Sequence, residues 1–159
     1  MQKDKNLFYW ISAWSPVVLG AIVIFCESSE LFGADHTSGP IRHFVEYFFG
    51  HMSNSRWEFV HHYIRKAGHF IGYGLIGLFW LRAWWMTLRH SRFFIDALLA
   101  LAGTAFIASC DEFHQSFLTN RTGTPFDVLI DCSGALVLQM VVYGMLRCFR
   151  PKKLARVLD

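Results

Sequence analysis

The stretch LFYWISAWSPVVLGAIVIFC, residues 7–26, runs for twenty residues without a charge. About 20 helical residues at about 1.5 Å each cover the roughly 30 Å hydrocarbon core of a bilayer. The segment therefore reads as a membrane span, and it sets the frame for the rest of the chain. Outward from it lie three further apolar blocks. The first, about 67–86, is free of charge until Arg82, which can snorkel to the headgroups from the end of a span. The other two, about 93–110 and about 128–146, contain Asp96 and Asp131 as their only charges. No A-x-A pattern follows residues 7–26, and Ile24 and Phe25 before Cys26 lack the small side chains of a lipoprotein cleavage site, so the first span is expected to be retained.

Composition agrees with lipid as the solvent. Hydrophobic residues make up 53% of the 159 residues and charged residues 17%, against roughly 45–50% and 25% in soluble domains. An ordinary soluble enzyme of this size is excluded. The expected fold is all-α: a single polytopic domain over 1–159 with four transmembrane helices and an outer amphipathic helix in the first loop.

Lys and Arg in short loops stay on the cytoplasmic side. Lys3, Lys5, Arg82, Arg89, Arg92, Arg147, Arg150, Lys152, Lys153 and Arg156 put ten cations on one face of a four-span bundle. Arg42, Arg56, Arg65, Lys66 and Arg121 leave five on the other. Both termini are thus expected in the cytoplasm, at the cell membrane. The net charge of +3, concentrated in the tail, suits a membrane-surface anchor and gives no sign of a nucleic-acid partner. The four cysteines form no CxxC pair and are expected to be packed thiols.

The first outer loop, from Glu27 to about Arg65, is too long for a simple connection. After a turn-rich stretch through Gly39, the residues Ile41, Phe44, Val45, Phe48 and Phe49 recur at helical spacing, so an amphipathic helix is expected to start near Pro40. Its aromatic face would pack on the bundle or lie among the outer headgroups.

Polar residues at the outer ends of the spans carry the chemistry, because ionised groups inside a bilayer need partners or water. Lys66, His69 and Tyr73 stand at i, i+3 and i+7, which offers a cation, an imidazole and a phenol on one helix face. Gly68 and Gly72 form a small-xxx-small pair that would admit another backbone. Asp111 and Gln115 are one turn apart, with Glu112 beside them. Adjacent carboxylates repel, so the pair needs a proton held on one of them or a cation nearby. Thr124 or Pro125 suits a helix start, which puts Asp127 in the first turn, where the helix dipole favours its charge, and Asp131 one turn deeper. Arg121 is the cation nearest these acids in sequence, and its planar fork suits a carboxylate or a phosphate.

Arg65-Lys66-Ala67-Gly68-His69-Phe70 with Tyr73, then Asp111-Glu112-x-x-Gln115-x-Phe117, Arg121, Asp127, Asp131 and Gly134, together with Ser28-Ser29, resemble the VanZ-like family of small bacterial integral membrane proteins. The resemblance implies a four-span helical protein of the cell membrane whose founding member is associated with teicoplanin resistance. It places the family's polar signature on Lys66, His69, Tyr73, Asp111, Glu112, Gln115, Arg121, Asp127 and Asp131. It supplies no settled mechanism. Two positions depart from the pattern: Asn120 stands where glycine is common, and Leu138 replaces a small residue, which puts the helix packing there in question.

Three roles remain open. One is binding of a membrane lipid or lipid-linked cell-wall intermediate, which would modulate the envelope and lower glycopeptide sensitivity. A second is a membrane-embedded hydrolase or transferase on a lipid-linked phosphate, with His69 and Glu112 or Asp111 as acid and base, while Lys66 and Arg121 hold the phosphate. The third is a purely structural polar cluster. No nucleophile motif or Gly-rich phosphate loop is present. The histidine spacing matches no zinc signature, so neither a metal nor another cofactor is expected.

Overall fold

The computed structural model describes residues 6–29, 34–88, 92–118 and 123–149. Among them the chain forms five α-helices and no strand: α1 (Leu7–Glu27), α2 (Ala34–Phe49), α3 (Asn54–Leu88), α4 (Phe93–Gln115) and α5 (Pro125–Cys148). Local chemistry marks two of the starts. Asn6 caps α1, its side chain accepting the Tyr9 N–H at 3.0 Å. Thr124 caps α5, accepting the Asp127 N–H at 3.3 Å, with Pro125 in the first turn, as the sequence predicts.

Tyr73, Ile76 and Phe93 are buried in the core, but large apolar side chains also cover much of the outside. Phe8, Ile11, Leu19, Ile22, Leu98, Phe106, Leu129 and Val141 are exposed, whereas Ala13, Ala83, Ala100, Thr104, Ala108 and Ala135 are buried. Small residues inside and large apolar ones outside are what a lipid solvent permits, because close packing rather than hydrophobic burial holds such helices together. Among the described residues, α1, α4 and α5 are long and apolar enough to cross a membrane. Residues 67–86, expected as a further span, lie within α3. Four glycines, three tryptophans, His69, Tyr73 and Arg82 lower the hydropathy of that stretch and keep α3 out of the same group.

Helix α3 is nonetheless the hub, packed against all four other helices. Along its length, α1 and α4 run in the opposite direction and α5 runs parallel to it. Glycines set the α3–α5 distance. A Cβ on Gly77 would lie 2.6 Å from the Ala135 Cβ, and one on Gly134 would strike the Phe70 carbonyl. Leu138, flagged by its size, finds its space over Gly74, where an added Cβ would meet its Cδ1 at 2.8 Å. The expectation for Gly68 and Gly72 is corrected: nothing lies within 4 Å of a Cβ added at either, so they admit no second backbone. They line a groove instead. At the other end of the bundle, Arg82 donates to the Ser12 carbonyl at 2.6 Å, tying α3 to the start of α1.

The first loop is largely helical. Helix α2 begins at Ala34, not near Pro40, which sits inside it. A proline there removes one N–H, and contacts to α3 hold the turn that precedes it: Trp57 donates to Ser38 Oγ at 2.6 Å, and Thr37 Oγ1 lies 3.4 Å from His61 Nε2. Arg42 joins α2 to the next connection through Glu46, Asn54 and the Met52 carbonyl. The Arg42 hydrogen bond, then the Met52 N–H, hold the Glu46 carboxyl down to about 2. Burial, then the Arg65 charge, push His61 below its ordinary value. Phe44, Tyr47, Phe48 and Phe49 stay exposed. The cysteine expectation is also corrected, since Cys26, Cys110 and Cys148 are exposed free thiols and only Cys132 is partly covered. Apolar neighbours in sequence do not distinguish a lipid-facing position from a core one.

Candidate functional site

One stripe on α4 explains how the site is delivered. Ala100, Thr104 and Ala108 recur every fourth residue and are fully buried against the neighbouring helices. Continued to the end of the helix, the same face carries Asp111 and Gln115 inward. Helix α4 runs five residues past the expected span, to Gln115, which places Asp111, Glu112 and Gln115 on regular helix.

Asp111 is the centre of the hydrogen-bond network. Its Oδ2 accepts from Tyr73 Oη of α3 at 2.9 Å and from Gln115 Nε2 at 2.9 Å. Its Oδ1 accepts from Ser28 Oγ, just past the end of α1, and Ser28 in turn accepts from Gln115 Nε2 at 3.0 Å. Three helices are thereby joined through one buried carboxylate. Charge-assisted bonds of this kind are about twice as strong as neutral ones. In sequence Ser28 stands out only as part of a Ser-Ser pair, and nothing in its spacing announces a partner in α4.

A second set of bonds ties the residues just before α5 to the end of α4. Thr124 N–H donates to Glu112 Oε2 at 2.9 Å, and a Cβ on Gly123 would collide with the Glu112 carbonyl. Thr124 Oγ1 also donates to Asp127 Oδ2 at 3.0 Å. Lys66 forms a hydrogen-bonded ion pair with Asp127 Oδ1. One turn further along the parallel α3–α5 pair, His69 Nδ1 lies 3.5 Å from Asp131 Oδ1. Asp131 is 0% exposed, and neither of its oxygens has a hydrogen-bond partner. His69 stacks over Tyr73 with ring centroids 6.1 Å apart.

Eight of the nine residues singled out from sequence therefore converge: Lys66, His69 and Tyr73 from α3, Asp111, Glu112 and Gln115 from α4, and Asp127 and Asp131 from α5. Arg121, like Asn120, lies outside the described residues. His69, Asp111 and Glu112 each offer an atom able to bind a cation, and these atoms lie within 4.8 Å of one another.

Beside the cluster a groove of about 450 Å³ opens between α1, α2 and α3. Ile24, Ile41, Ile64 and Ile71 line it together with the polar side chains of Glu27, Arg65, His69 and Asp111. Gly68 and Gly72 leave its floor free of side chains. The α2 residues Thr37 and Ile41 show no sign in sequence of a place in the site, because only the fold brings α2 against α3. Chemically, the arrangement offers an amphiphile apolar surface beside charged and proton-exchanging groups.

No curated protein and no solved structure matches the chain. A family model described as VanZ/LLP1 matches residues 13–147, a range that holds nearly all of the four longer helices and every residue of the polar cluster. This chain is a membrane protein of the VanZ/LLP1 family.

Proposed function

We propose that the protein holds a phosphate-bearing headgroup, of a phospholipid or a lipid-linked cell-wall intermediate, at this outer-side cluster, and that this changes the envelope and lowers sensitivity to glycopeptides such as teicoplanin. The observation that carries the proposal is the groove, whose lining sets apolar side chains beside Arg65, His69 and Asp111. In this reading α3 crosses the membrane beside α1, α4 and α5, giving four spans with both termini cytoplasmic. Helix α2 lies at the outer surface, its exposed aromatics among the headgroups. Arg121, in the connection that precedes α5, supplies a second cation for the phosphate.

The test uses Gly72→Leu, which fills the groove without entering a helix contact. Wild-type protein purified in mild detergent is expected to carry a phosphate-bearing lipid detectable by native mass spectrometry, and Gly72→Leu is expected to lose it. In cells with equal protein levels, Gly72→Leu and Arg121→Ala should lose the protection against teicoplanin, and Arg121→Lys should restore it only in part. Equal lipid retention and equal protection in wild type and Gly72→Leu would remove the groove from the account. The nearness of His69 to Glu112 favours a second reading, hydrolysis or transfer at the same phosphate with these residues as acid and base. Turnover of a lipid-linked phosphate by the pure protein, abolished by Glu112→Gln, would identify it.

A further inference from the structure

A group of acids is common on protein surfaces, and His69, Asp111 and Glu112 alone would say little. Asp131 changes this. It is 0% exposed, has no hydrogen-bond donor on either oxygen, and has His69 Nδ1 at 3.5 Å. The other charges that act on it are Asp111 and Asp127, of its own sign. Lys66, the nearby ammonium among the described residues, is engaged by Asp127. Among the described residues the group that can answer this buried carboxylate is the His69 imidazole, and a cation on the far ring nitrogen keeps the Nδ1 proton turned toward Asp131.

We propose that His69, Asp111 and Glu112 bind one divalent transition cation, with Asp131 orienting the imidazole. Their candidate ligand atoms lie within 4.8 Å of one another, a spread that an ion about 2.0–2.2 Å from each can close with small side-chain movements. Asp131 beside Nδ1 has the placement of the acid in a carboxylate–histidine–metal triad, which fixes the tautomer and leaves Nε2 for the ion. The other two ligands are also held in place, Asp111 by Tyr73, Ser28 and Gln115, and Glu112 by the Thr124 N–H. One imidazole with two carboxylates suits Zn²⁺ or Mn²⁺, whereas Ca²⁺ and Mg²⁺ take oxygen ligands throughout. Spacing along the chain could not reveal the set, because His69 lies on α3 and the two carboxylates on α4.

The groove reaches both His69 and Asp111, so the ion has a path and a face open to a further ligand. Under the proposed function that ligand is a phosphate oxygen, but the ion site rests on the protein's own donors and is tested without lipid. Full-length protein in detergent, stripped with a chelator, is titrated with Mn²⁺ while the free ion is followed by electron paramagnetic resonance. One Mn²⁺ per chain is expected, displaced by Zn²⁺. Affinity should fall by about tenfold or more in His69→Ala, Glu112→Gln and Asp131→Asn. Glu46→Gln, whose carboxylate lies on α2 away from the cluster, should bind as wild type does. Zn²⁺ should raise the melting temperature of wild type, so the site is tested even if a variant folds poorly. Absence of saturable Mn²⁺ binding and of a Zn²⁺ melting shift in wild type would overturn the proposal, as would equal affinity in all the folded variants. Lipid binding that persists in a protein shown to bind no metal would leave the proposed function standing and this inference refuted.

Discussion

Asp111 shows what a single side chain does for this fold. Its carboxylate accepts from Tyr73 of α3, from Gln115 one turn along α4, and from Ser28 just past the end of α1. Removing a donor from a buried charged acceptor costs about 1.5–3 kcal/mol. Tyr73→Phe is therefore expected to lower stability by about that amount, measured as the midpoint of thermal unfolding in detergent. Tyr63→Phe, at an exposed ring, should change it little; equal effects would show that the Asp111 network does not hold α3 to α4. Most of these residues were legible in sequence, because a charge or an imidazole in an apolar context is conspicuous whatever surrounds it. Ser28 was not, since a serine at a helix end is ordinary until its partner is known. The pairings were not legible either. The fold gives Asp127 to Lys66 and sets Asp131 against His69.

The helices owe their arrangement to where side chains are missing. Gly134 meets the Phe70 carbonyl and Gly77 meets Ala135, so α3 and α5 approach backbone to backbone, and the acids of α5 come within reach of Lys66 and His69. Gly68 and Gly72 face open space. Gly134→Ala is expected to destabilise the protein by about 1–3 kcal/mol through overpacking. Gly68→Ala, by contrast, should be neutral or stabilising by up to about 1 kcal/mol, because alanine is the better helix former. Thermal unfolding of the two variants side by side checks the contrast, and a loss in Gly68→Ala as large as in Gly134→Ala would contradict it. Sequence pattern located α1 closely, since its charge-free stretch ends where Glu27 begins. It missed the early start of α2 and the first turns of α3, where polar residues are held helical by contacts such as Trp57 with Ser38. It also attached the small-residue motif to the wrong glycines, because every glycine of α3 looks alike until a neighbour is placed beside it.

At the scale of the whole molecule, lipid-facing large side chains surround a seam of small residues that ends in a polar cluster, and a groove floored by glycine leads to that cluster. Under the proposed function the orientation of this site is outward, toward the outer face of the membrane. It is tested most directly by a single cysteine at Gly72, introduced after Cys26, Cys110, Cys132 and Cys148 are replaced, and probed in intact cells with a membrane-impermeant thiol reagent. Modification of that cysteine without permeabilising the cells, and slowed by prior removal of groove access with Gly68→Leu, is the result expected. Labelling that appears only once the cytoplasmic side is opened would contradict the account, because the cluster would then face the other side of the membrane.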